Sequence, residues 1–265
     1  VTRAGEAGAA AERDAAGERL RTAGGLPAHR LVGWEEAYPG LRAGVTAGAE
    51  AGDLGMASDR PPAEWLERME AALSALGGRG IVLPRQVHGR RVVEVEGRPT
   101  GVLVPGEADG LSTSEPGTFL AVTVADCVPV FVLDPASRAL ALLHAGWRGT
   151  AGGVLEAGLA AMEERYGSRR PELLVHLGPA ICGSCYEVGP EVPRALGRDA
   201  NGKVRLDLRA ELGERAESRG IAARNLSRSA ACTRCGADHF FSYRGTGTAK
   251  RMAAFLGWQT GEAGV

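Results

Sequence analysis

The sequence predicts an α/β protein of layered architecture with a mixed sheet, and three observations carry that prediction. Short runs rich in Val, Ile, Phe, Thr and Leu recur from Gly80 to Leu177, punctuated by Gly, Pro, Asp and Ser. Stretches of helical periodicity lie before, between and after them. The gaps between the early runs are too short for crossover helices, so antiparallel as well as parallel pairing is expected.

Taken in order, residues 1–27 are rich in Ala, Glu, Arg and Gly and have almost no large apolar side chain before Leu20, which predicts a polar arm peripheral to the core. Residues 28–265 show no repeat and no long linker and read as one domain. Trp34, Tyr38 and Leu41 offer apolar anchors, and Gly40 and Gly44 offer turns. A helix is predicted over 63–73, where Trp65, Met69, Ala72 and Leu73 share one stripe between Pro61-Pro62 and Gly77-Gly78. Strands are predicted over 80–87, 91–96, 117–125, 128–133 and 138–143. A helix over 150–166, a strand over 173–177 and a closing helix over 248–256 follow.

Composition excludes several classes. With 265 residues the chain can bury a core without staples. The 31 Lys and Arg are interleaved with 32 Asp and Glu, and this balance argues against a nucleic-acid partner. No stretch approaches eighteen consecutive apolar residues and no signal-like leader is visible, so neither membrane insertion nor secretion is expected. Five cysteines fit a disulfide framework poorly and a reducing cytoplasmic compartment better. A monomer or weak homodimer is expected.

Chemistry concentrates at strand ends. His88 in Gln86-Val87-His88-Gly89, Cys127 in Ala125-Asp126-Cys127 after the run 119–124, and His144 before Ala145-Gly146-Trp147-Arg148 stand where strand text gives way to turns. Side chains at such ends converge over a fixed core. One thiolate and two imidazoles suit zinc with an open fourth position. Separations of 39 and 17 residues match no local ligand motif, however, and packed histidines with a buried small thiol explain the same residues. Two C-x-x-C pairs, Cys182/Cys185 and Cys232/Cys235, suggest a rival four-cysteine site. The 46 residues between the pairs argue against it, and no second zinc site is expected there. Arg148, in a Gly-rich turn opening a helix, offers an anion contact, with Arg85 and Arg244 as possible helpers. Tyr243 and Arg244 are the ligand contacts expected from the aromatic segment 240–244.

Together these motifs resemble the YfiH-type family, also called the laccase-domain or polyphenol oxidase family. The resemblance rests on Arg85-Gln86-Val87-His88-Gly89, Ala108-Asp109-Gly110-Leu111, Ala125-Asp126-Cys127-Val128-Pro129-Val130, 144–150, 178–181, 185–189 and Phe240-Phe241-Ser242-Tyr243-Arg244. It runs in order from about Leu31 to Trp258. It implies an α/β/β/α four-layer domain, zinc held by His88, Cys127 and His144, and phosphorolysis of adenosine, inosine, guanosine and methylthioadenosine together with adenosine deamination. Phosphate and purine nucleosides are then the small-molecule partners. Two segments depart from the family pattern: Ala47-Gly48-Ala49 with Asp53-Leu54-Gly55, and Gly245 to Arg251. Two other readings use the same residues. The first is a copper polyphenol oxidase, for which two His and one Cys suit a type 1 site but five histidines are too few for a trinuclear cluster as well. The second is a Cys127/His hydrolase of the kind associated with peptidoglycan precursor editing.

Overall fold

The computed structural model describes residues 17–21, 26–55 and 63–261. Two face-to-face sheets form the centre. One has seven strands in the order Glu18–Arg21, Ala28–Leu31, Leu41–Thr46, Met252–Trp258, Thr118–Val124, Gly80–Val82 and Gly101–Leu103. The other has six, Leu226–Arg228, Leu174–Leu177, Val128–Leu133, Leu140–Ala145, Gly110–Thr113 and Val92–Glu94. Both are mixed: Gly80–Val82 runs parallel to its two neighbours and Leu174–Leu177 parallel to Leu226–Arg228, while Met252–Trp258 and Leu140–Ala145 are antiparallel to theirs.

The period of two along each strand divides the core into three layers. Leu120, Val122 and Val124 face Phe131, Leu133, Leu140 and Leu142 between the sheets. Phe119, Ala121, Ala253 and Phe255 point the other way, against Trp65, Met69, Leu73 and Leu76 of helix Ala63–Leu76. On the opposite side, Val130, Val132, Ala141 and Leu143 meet Leu155, Leu159 and Met162 of helix Val154–Tyr166 and Leu212 of helix Leu208–Ser218. The result is the expected α/β/β/α single domain.

Several elements differ from the sequence-based expectation. The chain at 248–256 is not a helix: Met252–Trp258 is a strand, buried at every residue and paired on both sides. Its Ala-rich text favours a helix locally, but an apolar run buried on both faces is equally the signature of a central strand. The helix expected over 150–166 is two helices, Trp147–Gly152 and Val154–Tyr166, broken at Gly153, whose φ of 87° suits glycine. Strand 80–87 is cut to Gly80–Val82 ahead of Pro84. Of the polar arm, Glu18–Arg21 pairs antiparallel with Ala28–Leu31 at the sheet edge, and 1–16 and 22–25 lie outside the described residues.

Because Phe255 is 1% exposed and fills the layer under helix Ala63–Leu76, Phe255→Ala should lower the unfolding free energy by about 3–5 kcal/mol. The midpoint of a urea unfolding curve reads it, and an unchanged midpoint would contradict this packing.

Candidate functional site

The chain passes from one sheet to the other in three residues, 125–127, between Thr118–Val124 and Val128–Leu133. So short a crossing requires a sharp turn, and Asp126 takes it with φ 87°. Its buried carboxylate holds the turn: Oδ1 accepts the hydroxyls of Thr233 at 2.6 Å and Ser242 at 2.7 Å, and Oδ2 accepts the Arg244 N–H at 2.7 Å. Cys127 follows directly. Val128 pairs with Ala145, so the register sets Cys127 beside His144, which lies on the inter-sheet face of its strand and is 3% exposed.

His88 reaches the same place from the loop after Gly80–Val82. Gln86 fastens this loop to the neighbouring strand, donating to the Thr123 carbonyl at 2.8 Å and accepting the Thr123 N–H at 2.7 Å. Asp109 holds the rest. Fully buried, it accepts N–H groups from Val87 at 3.1 Å, His88 at 2.9 Å and Gly89 at 2.6 Å, and its Oδ1 lies 2.9 Å from His144 Nδ1. These bonds offset the roughly 1–2 kcal/mol that a left-handed backbone costs a residue with a Cβ; His88 has φ 59°.

The donor atoms of His88, Cys127 and His144 lie within 4.8 Å of one another, and the two imidazole rings meet edge to face at 4.8 Å. Gly146 closes the cradle: a Cβ there would stand 2.9 Å from Cys127 Sγ and 3.0 Å from the His88 ring, so no side chain fits. Burial pushes the Cys127 thiol up, but the His144 and His88 imidazoles outweigh it and bring the pKa down to about 6. Burial pushes His144 down, and the Cys127 and Asp109 groups outweigh that and raise it to about 9. Asp109 is likewise raised by burial, yet the hydrogen bonds from His144, Gly89 and Val87 take it below the ordinary carboxylate range. A thiolate and two imidazoles, one oriented by a carboxylate, form a donor set suited to zinc.

The three residues open onto a cavity of about 900 Å³ that also takes in Arg85, Arg148, Tyr243 and Arg244, the residues expected to meet ligand. Arg148 is exposed near the start of helix Trp147–Gly152, with its guanidinium 4.3 Å from the Trp147 ring centroid. Arg85 is paired with Glu107 at 2.8 Å. The Arg244 side chain donates to the Glu187 carbonyl at 2.9 Å, and Tyr243 is 57% exposed. Sequence reasoning missed four residues here. Asp109 and Gln86 act through bonds 20 or more residues away, while Tyr186 and Arg251 line the cavity. The two segments that depart from the family pattern meet on one wall, where Asp53 Oδ1 accepts the N–H groups of Gly55 and Arg251, both at 2.9 Å.

The spacing argument against the C-x-x-C pairs does not hold in the fold. Cys182, Cys185, Cys232 and Cys235 converge, with all four sulfurs within 4.8 Å of one another. Sequence spacing misled because Leu174–Leu177 and Leu226–Arg228 are adjacent parallel strands. The intervening residues loop out through helix Leu208–Ser218 and return, so both strands deliver their following segments to the same end of the sheet.

Among the described residues no helix is long and apolar enough to cross a membrane. The family described as multi-copper polyphenol oxidoreductase laccase matches residues 42–259. A purine nucleoside phosphorylase of Streptomyces coelicolor is 37% identical over 214 residues, covering 77% of this chain and 86% of that protein. An adenosine deaminase, RL5, from an unknown prokaryotic organism is 34% identical over 185 residues, covering 63% and 70%. The crystal structure of YlmD from Geobacillus stearothermophilus superposes with a TM-score of 0.78 at 28% identity, covering 92% of this chain and all of that one. The match over most of the chain, the shared fold and the motifs around His88, Cys127 and His144 agree, and the chain belongs to this laccase-domain family of YfiH type.

Proposed function

We propose that the protein is a zinc-dependent purine nucleoside phosphorylase that also deaminates adenosine. The observation that carries this reading is the single cavity in which a His88–Cys127–His144 donor set faces several guanidinium groups and exposed aromatic surface. The names of the relatives, a phosphorylase and a deaminase, support it.

His88, Cys127 and His144 would hold the metal. Zinc bound there supplies Lewis-acid polarisation at one open position. The remaining work falls to the chain's own groups. Arg148, with Arg244 and Arg85 lining the same cavity, would gather phosphate through charge-assisted, bidentate hydrogen bonds. Tyr243 and Tyr186 offer flat faces to a purine. Asp109 keeps the His144 Nδ1 engaged and leaves Nε2 for the metal. The copper polyphenol oxidase reading is less well supported, since His29, His176 and His239 do not line the cavity and cannot add imidazoles to it.

One observation favours a second reading, a Cys/His hydrolase. Without metal, Cys127, His144 and Asp109 stand in the order of nucleophile, base and orienting carboxylate. Metal analysis separates the two, because chelation abolishes the phosphorylase and unmasks the thiol.

Incubation with adenosine, with and without phosphate, should yield phosphate-dependent adenine and phosphate-independent inosine by chromatography; neither product would end the nucleoside reading. Arg148→Ala should reduce phosphorolysis about 100-fold while leaving deamination little changed, and Arg148→Lys should not restore it. Equal loss of both activities would remove Arg148 from the phosphate site. Asp109→Asn, whose amide can accept for at most some of the four donors, should weaken zinc binding about 10–100-fold in a chelator competition, and wild-type affinity would refute its orienting role.

A further inference from the structure

The cluster of four cysteines lies outside the His88–Cys127–His144 donor set, and the proposed reaction does not use it. All four are free thiols. Their sulfurs fall within 4.8 Å of one another, with Cys185 and Cys235 3.4 Å apart. A zinc ion with four thiolates at about 2.3 Å needs sulfurs roughly 3.8 Å apart, a spacing that these distances bracket. We propose that Cys182, Cys185, Cys232 and Cys235 form a structural tetrathiolate zinc site, separate from the centre facing the cavity.

The surrounding backbone is built for ligation. Each C-x-x-C pair is a turn closed on its first cysteine: the Cys182 carbonyl accepts the N–H groups of Cys185 and Tyr186, both at 3.0 Å, and the Cys232 carbonyl accepts the Gly236 N–H at 2.8 Å. Cys232 Sγ in turn accepts the N–H groups of Cys182 at 3.3 Å and Cys235 at 3.4 Å, so backbone from both turns fixes its position. Neither pair opens a helix, as a thioredoxin-like redox motif would. Four thiolates around one divalent cation leave a net negative charge, and Arg234, Lys203 and Arg244 line the adjoining hollow beside Cys185. Four protein ligands close the tetrahedron, which makes the site structural.

Its position gives the cross-link a purpose. The first turn leads into Tyr186, on the cavity wall. The second contains Thr233, whose hydroxyl holds Asp126. Besides the Cys182 N–H to Cys232 Sγ bond, the two turns meet through the isolated bridge of Ala180 to Cys232 and the bond from Arg234 to the Cys185 carbonyl at 3.2 Å. A metal at this junction locks together two walls of the substrate cavity.

The test uses full-length protein purified under reducing conditions and loaded with zinc or, in parallel, cobalt. Wild type should carry two equivalents of zinc. Cys127→Ser should keep one equivalent, and its cobalt form should show the near-ultraviolet charge-transfer intensity of four thiolates. Cys235→Ser, at the exposed member of the cluster, should lose that signature and one equivalent. Should Cys235→Ser not fold, the Cys127→Ser spectrum decides alone. A Cys127→Ser protein without bound metal, a cobalt spectrum lacking thiolate bands, or an intact mass showing disulfides in place of metal would overturn the proposal. If the His88–Cys127–His144 centre proves empty, the four-thiolate signature still reports on this site independently.

Discussion

The carboxylate of Asp126 is the constraint on which the rest of the site depends. The chain must leave one sheet and enter the other within three residues, and that turn has no ladder of its own. Asp126 replaces the missing ladder with bonds to Thr233, Ser242 and Arg244, three groups more than a hundred residues away. Its own carbonyl accepts the Ile181 N–H at 3.1 Å. Charge-assisted bonds of this kind are about twice as strong as neutral ones and lose little to solvent when buried. Three distant pieces of chain, at Ile181, Thr233 and Ser242 to Arg244, are thereby gathered at the end of the inter-sheet core, and Cys127 is placed among them.

Asp109 does the complementary work on the other side. It spends both oxygens on the backbone of the His88 loop and on His144, so one buried group fixes the path of one imidazole and the tautomer of another. Two of the three described non-glycine residues with positive φ, His88 and Asp126, belong to this arrangement. Backbone of that kind persists only where surrounding bonds over-determine it. Rigid placement of the donor groups therefore rests on two buried carboxylates, each bonded to distant segments of the chain.

Layering was legible because it follows from strand periodicity; strand ends offered His88, Cys127 and His144 only as candidates, and the resemblance of the surrounding motifs joined them into one set. The strand Met252–Trp258 was not legible, since Met-Ala-Ala-Phe-Leu carries no alternation once both of its faces are buried. Asp109 and Gln86 stood within the motifs of the resemblance without an assigned role, because their roles exist only across bonds to distant segments. The convergence of the cysteine pairs was hidden for a related reason: distance along the chain is a poor guide when parallel neighbours hold two segments side by side. In each case the missing information was the pairing of strands, which local composition does not encode.

The bond between Asp53 and the Arg251 N–H bears on how members of this family could exchange parts. The segments 53–55 and 249–251 are nearly two hundred residues apart, yet they form one wall through a shared carboxylate, and the Leu54 N–H reaches the Arg251 carbonyl at 2.9 Å. Grafting either segment alone from a relative would strand half of this contact, so a chimera that alters ligand choice on that wall has to carry both. The two departures from the family pattern thus act as one structural unit on that wall.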